Sequence, residues 1–135
     1  MTYCLDTNTC IYFLKGTYPL LQSKMLSLNP NDIKIPAIVK AELLHGAEKS
    51  QKREENAEKV LMFLLPFEII PFDSAASVLY AEIRAKLERK GEVIGPYDLL
   101  IAATALAANN ILVTNNTKEF RRVEGLQVEN WTTSV

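Results

Sequence analysis

Apolar residues fall into two rhythms along this chain. Short apolar, β-rich runs bounded by turn residues occur at 2–5, 33–35, 68–70, 111–114 and 126–128, each of a length suited to a strand covered on both faces. Between them the apolar positions recur at helical spacing. Ile11, Tyr12 and Leu14 predict a helix ended by Gly16. Leu21, Met25 and Leu28 predict a second over 17–28, with Pro19 near its first turn. Val39, Leu43, Leu44 and Ala47 predict one over 38–49, after Pro36 has stopped the second strand. A helix over 51–65 opens on a charged run, in which Glu55 and Lys59 can pair at i,i+4, and ends at Pro66. Asp73-Ser74 starts a long helix to Lys90-Gly91 with Ala75, Val78, Leu79, Ile83 and Leu87 facing inward. Gly95-Pro96 starts the next, with Leu99, Ala102, Ala103 and Leu106 on its core face, and Asn109-Asn110 ends it. A short helical turn over 117–122 precedes the last strand.

Strands alternating with helices and no internal repeat predict a single domain over 1–135, a three-layer α/β/α sandwich with a central parallel sheet. That architecture places certain acids. A helix that follows a parallel strand starts at the strand's carboxyl edge, which brings Asp6 and Glu42 to one rim. The helix from Pro96 runs antiparallel to the strand at 111–114. About 14 residues at 1.5 Å each span a strand and its turn, so Asp98 returns to the same rim as Asn116.

Each acid also has a plain structural use. Asp6 and Asp73 are natural N-caps, and Glu42 and Asp98 are favourable partners of a helix amino end. Convergence changes that balance. Two like charges about 4 Å apart repel by about 4 kcal/mol at an effective dielectric of 20, whereas a helix terminus returns at most ~2 kcal/mol to a neighbouring anion. A divalent cation can hold such a cluster ionised, and an all-oxygen set suits Mg²⁺ or Mn²⁺ better than Zn²⁺. Mg²⁺ held by few carboxylates keeps waters that can be activated against a phosphodiester. Glu42 and His45 form an E-x-x-H pair like those of di-iron bundles, but that design needs two such pairs and the chain has 1 His.

Composition bounds the remaining options. With 135 residues and 48% apolar content, one core needs no covalent staple, and Cys4 and Cys10 lack disulfide-framework or zinc spacing, so both are expected as buried thiols. No apolar run approaches a membrane span and no basic-then-apolar leader is seen, so a cytoplasmic location without membrane attachment is expected. The formal net charge of −1 means that nucleic acid must be met by a local patch: Arg121 and Arg122 first, then Lys86, Arg89 or Lys90. Val60-Leu61-Met62-Phe63-Leu64-Leu65 is apolar around the whole helix, so one face is left for a partner, most simply in a homodimer.

Four blocks then carry a resemblance: LDTN at 5–8, AELLHGAEKS from Ala41, GPYDLLIAATA from Gly95 and VTNNTKEFRRVEGL from Val113. In this order and spacing they resemble the PIN-domain ribonucleases, specifically the VapC toxins of toxin–antitoxin pairs. The resemblance implies Mg²⁺- or Mn²⁺-dependent endonuclease action on RNA, often in a structured tRNA or ribosomal RNA loop, together with homodimerisation and inhibition by a cognate antitoxin. It assigns Asp6, Glu42 and Asp98 to the metal. Many PIN domains have a further Asp where this chain has Asn116, so Glu119 is the candidate fourth carboxylate and the number of metal ions stays open. Thr7, Asn8, Thr114 and Asn116 are candidate hydrogen-bonding neighbours of those acids. One competing reading is a catalytically inactive PIN-like module that only binds RNA or protein, which loss of the acid at 116 would favour. Another is a phosphoacceptor signalling domain, which requires adjacent acids after the first strand; Asp6 has no acidic neighbour in sequence.

Overall fold

The first strand, β1 (Tyr3–Leu5), is fully buried and becomes the middle of the sheet. The computed structural model describes residues 1–133. After β1 come α1 (Thr7–Lys15), α2 (Pro19–Ser27), β2 (Ile33–Pro36), α3 (Ala37–Glu48), α4 (Arg53–Leu64) and β3 (Glu68–Ile70). The second half adds α5 (Ser74–Lys90), α6 (Pro96–Ala107), β4 (Ile111–Val113), α7 (Thr117–Phe120) and β5 (Val128–Glu129). All neighbouring strands are parallel, in the order β3-β2-β1-β4-β5, with Cys4 beside both Lys34 and Leu112. Helices flank this sheet, giving the α/β/α sandwich that the alternating pattern predicts.

The strand order has one reversal. From β1 the chain steps outward to β2 and β3, then crosses back to place β4 on the other side of β1. The gap between the carboxyl ends of β1 and β4 is therefore the topological switch point, where ligands of open α/β sheets bind. Cys4, Leu5, Ile33, Ile35 and Leu112 are wholly inaccessible, as strands covered on both faces must be. Along α6, Leu99 and the run Ile101–Ala105 are buried, and the small alanines let the helix lie close against the sheet and α5.

Several elements follow their local signals closely. Gly16 and Gly91 close α1 and α5 in the left-handed conformation, each donating its N–H back to a carbonyl of the last turn. Asn109 (φ 56°) turns the chain out of α6. Glu55 and Lys59 pair at 3.5 Å, and Cys4 and Cys10 are free and buried. His45 is exposed.

Two local expectations are corrected. On α5, Ala75 and Val78 face solvent, because the Asp73 cap fixes a phase in which Ala76, Ile83 and Leu87 point inward. At the last strand the ladder runs over 128–129 rather than 126–128; Leu126 is buried from a turn, its N–H bonded to the Val123 carbonyl. An apolar residue before an edge strand thus fills the core without belonging to the ladder. The apolar end of α4 divides as its pattern requires: Val60 and Leu64 are buried, while Leu61, Met62 and Leu65 stay exposed.

Candidate active site

Asp6 is the first residue past β1. Its N–H bonds to the Val113 carbonyl at 3.1 Å, extending the β1–β4 ladder by one step, and its extended backbone (φ −80°, ψ 173°) then hands over to α1. Its Oδ1 accepts from the Thr9 N–H at 2.9 Å, so Asp6 is the N-cap of α1. The Thr9 hydroxyl donates to the Val113 carbonyl at 3.2 Å and ties the same turn to β4. Asp6 is nevertheless 5% exposed, an unusual burial for an acid held only by neutral donors.

The other acids arrive from separate elements. Glu42 lies in the second turn of α3, and its Oε1 accepts from the Thr7 hydroxyl at 2.7 Å, linking α3 to the start of α1. Asp98 is the third residue of α6, a helix that has Gly95 at its N-cap and so no capping side chain of its own. Thr114, buried beyond β4, accepts the Asn116 N–H on its Oγ1 at 2.9 Å. The Asn116 amide in turn donates to Glu119 Oε2 in a short hydrogen bond. Glu119 is held half-buried over the same rim by this relay from β4.

Electrostatics tie Asp98 to the other three acids. Asp98 is pushed up to about 6, first by burial and then by the charges of Asp6, Glu119 and Glu42. The Asp6 carboxyl is also raised, mainly by burial, while the Thr114 and Thr9 hydroxyls and the Thr9 N–H pull it back. Among the described residues none of the four joins an ion pair: the salt bridges run Lys34–Glu68, Arg53–Glu48, Lys59–Glu55, Arg84–Glu88 and Lys86–Glu124. Uncompensated negative charge therefore collects at the switch point.

The side chains as placed do not form a closed metal cage. Among the described residues no three His, Cys, Asp or Glu groups stand close enough to ligate one ion, and three of the acids are each engaged by a neighbour: Glu42 by Thr7, Asp6 by Thr9 and Glu119 by Asn116. An acidic, all-oxygen rim of this openness fits a hard cation that keeps most of its waters and takes one or two carboxylates directly. It does not fit a four-ligand zinc site.

The structure separates the remaining candidates. Asn8 is exposed in the first turn of α1. Arg121 borders a groove with Met1, Ile111 and Leu126, at the amino ends of β1 and β4 and thus away from the acids. Arg122 donates from Nη1 to the Val93 carbonyl at 3.2 Å, fastening the loop that leads into α6. Lys86 is paired with Glu124 at 2.6 Å, which removes it from the expected basic side of α5. Thr9 goes unnoticed in the sequence reading, although the third residue after a capping Asp is where a cap's hydrogen bond lands.

Comparison with known proteins now decides the family. The PIN domain model matches residues 3–126. The chain belongs to the PIN-domain family. Within that family it is similar to Ribonuclease VapC2 of Rickettsia felis, 46% identical over 132 residues, covering 97% of this chain and 98% of the relative. It is 39% identical to the tRNA(fMet)-specific endonuclease VapC of Shigella flexneri, at 97% and 98% coverage. Among solved structures, VapBC2 from Rickettsia felis bound to a promoter DNA fragment superposes with a TM-score of 0.90 at 44% identity, covering 97% of this chain and 99% of the other. DNA-bound VapBC from Salmonella typhimurium superposes with a TM-score of 0.91 at 38% identity, covering 97% and 98%. The PIN fold and the VapC resemblance carried by the four sequence blocks are thus both established. Among the described residues of this PIN domain, no helix is long and apolar enough to cross a membrane.

Proposed function

We propose that this PIN domain is the ribonuclease toxin of a VapBC-type pair, cutting phosphodiesters in structured RNA with Mg²⁺ or Mn²⁺ bound at the rim. The observation that carries the reading is the set of four unpaired carboxylates at the switch point of the sheet, three of which repel the charge of Asp98. Asp6, Glu42 and Asp98 would hold the ion, one or two of them directly and the rest through its waters, with Glu119 as the fourth acid. The metal, when bound, supplies an activated water and neutralises charge on the attacked phosphate. Thr9 and Thr114 fix the Asp6 carboxylate, Thr7 orients Glu42, and Asn116 presents Glu119. The name of the Shigella relative points to a tRNA as the first substrate to try.

A cognate antitoxin is the proposed protein partner, as in the related VapBC structures. The cytoplasm, where tRNA resides, is the proposed location. A homodimer is proposed through the exposed α4 face of Leu61, Met62 and Leu65. Light scattering of the purified protein is expected to give twice the monomer mass and to fall toward one for Met62→Glu; a monomeric parent ends this part of the reading.

The central test is incubation of purified protein with end-labelled tRNA in Mg²⁺, in Mn²⁺ and in chelator. Cleavage is expected with either ion, none in chelator, and none from Asp98→Asn. Cleavage that persists in chelator removes the metal mechanism. RNA binding with no cleavage in either ion favours instead an inactive RNA-binding module.

A further inference from the structure

Aromatic side chains are buried or partly buried almost everywhere in this protein. Of its 5 Tyr, 5 Phe and 1 Trp, all but Phe120 and Tyr97 stand in ring pairs: Tyr3 with Trp131, Tyr12 with Tyr18, Phe63 with Phe13 and Phe67, and Phe72 with Tyr80. Phe120 is buried. Tyr97 is the exception, 58% exposed and the single aromatic among the exposed large apolar side chains. Its position singles it out further. It precedes Asp98, so its Cα lies about 3.8 Å from that of the acid most affected by the other three.

The ring is also mounted on a stiff base. Pro96 fixes φ just before it, Leu99 N–H bonds to the Gly95 carbonyl at 2.9 Å, and Arg122 clasps the Val93 carbonyl at 3.2 Å. A large apolar ring left in water at a rigid helix start has no packing role to account for it. An aromatic face beside a phosphodiester-cutting site is what an unpaired base can stack on, without sequence-specific hydrogen bonds.

We infer that Tyr97 is a stacking platform for an unpaired RNA base next to the scissile phosphate, selecting single-stranded or looped RNA over duplex. This rests on the ribonuclease reading above. The platform acts on substrate capture, so its loss raises KM and leaves the acids that perform the chemistry in place. The Arg122 guanidinium, one nitrogen of which is committed to Val93, holds the loop that leads into the helix bearing the ring.

The test compares Tyr97→Ala, Tyr97→Leu and Tyr97→Phe for cleavage of an RNA hairpin with a single-stranded loop. Binding is followed in parallel through 2-aminopurine placed in that loop, in chelator so that binding is read without cleavage. Tyr97→Ala and Tyr97→Leu are expected to raise KM by about tenfold, within the range for loss of one stacked base, with kcat within about twofold. Tyr97→Phe, which keeps the ring, is expected to rescue KM. The 2-aminopurine signal is expected to change on binding the parent and not on binding Tyr97→Ala. An unchanged KM in Tyr97→Ala overturns the proposal, as does a Leu variant that behaves like the Phe variant. So does a Tyr97→Ala protein that cuts RNA normally but changes its oligomeric size, which assigns the ring to a protein interface. A parent that binds the labelled loop through the ring yet cuts nothing leaves the platform standing and fails the nuclease reading instead.

Discussion

Two strand-to-helix junctions in this molecule use one device for different ends. Where β1 passes into α1, Asp6 Oδ1 accepts the Thr9 N–H at 2.9 Å; where β3 passes into α5, Asp73 Oδ1 accepts the Ala76 N–H at 2.9 Å. The caps are the same to within the geometry of one hydrogen bond. Their surroundings are not. β1 is the central strand and its exit faces the switch point, so Asp6 is buried against Thr114 and shares its field with Asp98. β3 is an edge strand and Asp73 is exposed. Capping thus explains why each junction has an Asp, and strand order explains why only one of them gathers other acids around it.

The comparison is broken most directly by exchanging each Asp for Asn, which caps helices about as well. Asp73→Asn is expected to leave RNA cleavage at the parent rate. Asp6→Asn keeps the α1 cap but removes a proposed metal ligand, and cleavage of labelled tRNA is expected to fall by about 100-fold or more, since even indirect partners of metal ligands cost about 10- to 100-fold. Equal activity of the two variants would reduce Asp6 to a cap.

How far this contrast is legible in sequence depends on the scale of the signal. The α6–β4 unit is read almost residue by residue, because Gly95-Pro96, an uninterrupted apolar helix face and Asn109 each act locally. The convergence of Asp6, Glu42 and Asp98 follows from one non-local rule, that helices begin at the carboxyl edge of parallel strands. Signals that depend on rotation or on a neighbour are lost. Val78 reads as core until the Asp73 cap sets the phase of α5, and Arg121 reads as an RNA contact until the chain carries it to the amino ends of β1 and β4, away from the acids. Thr114, Asn116 and Glu119 are each legible as candidates near the rim, but the order in which they bond is not: Thr114 accepts the Asn116 N–H and the Asn116 amide donates to Glu119, a chain that depends on how the turn after β4 is folded.

A smaller effect sharpens the same contrast through stability. Asp98 rises from 3.8 to about 6 in the folded protein, so the native state binds its proton more tightly than the unfolded chain does. Stability of the metal-free protein is then highest below pH 4 as far as this group is concerned. It falls as pH rises from about 4 to about 6 and is level above, the opposite of an Asp stabilised by a cation. Asp98 is half-exposed, so solvent screening reduces the full linkage value to about 1–2 kcal/mol at pH 7. Asp98→Asn removes the charge while keeping the shape. In chelator it is expected to be more stable than the parent at pH 7 by that amount and equal to it near pH 4, as read by urea melts at the two pH values. Added Mg²⁺ should narrow the gap by stabilising the parent alone. An Asp98 acting only on the helix dipole predicts the reverse sign, a loss of up to about 1 kcal/mol at pH 7 on neutralisation. A destabilised Asp98→Asn protein in chelator would therefore place Asp98 with Asp73, as a local helix acid, and leave the cluster at the β1 exit without its third member.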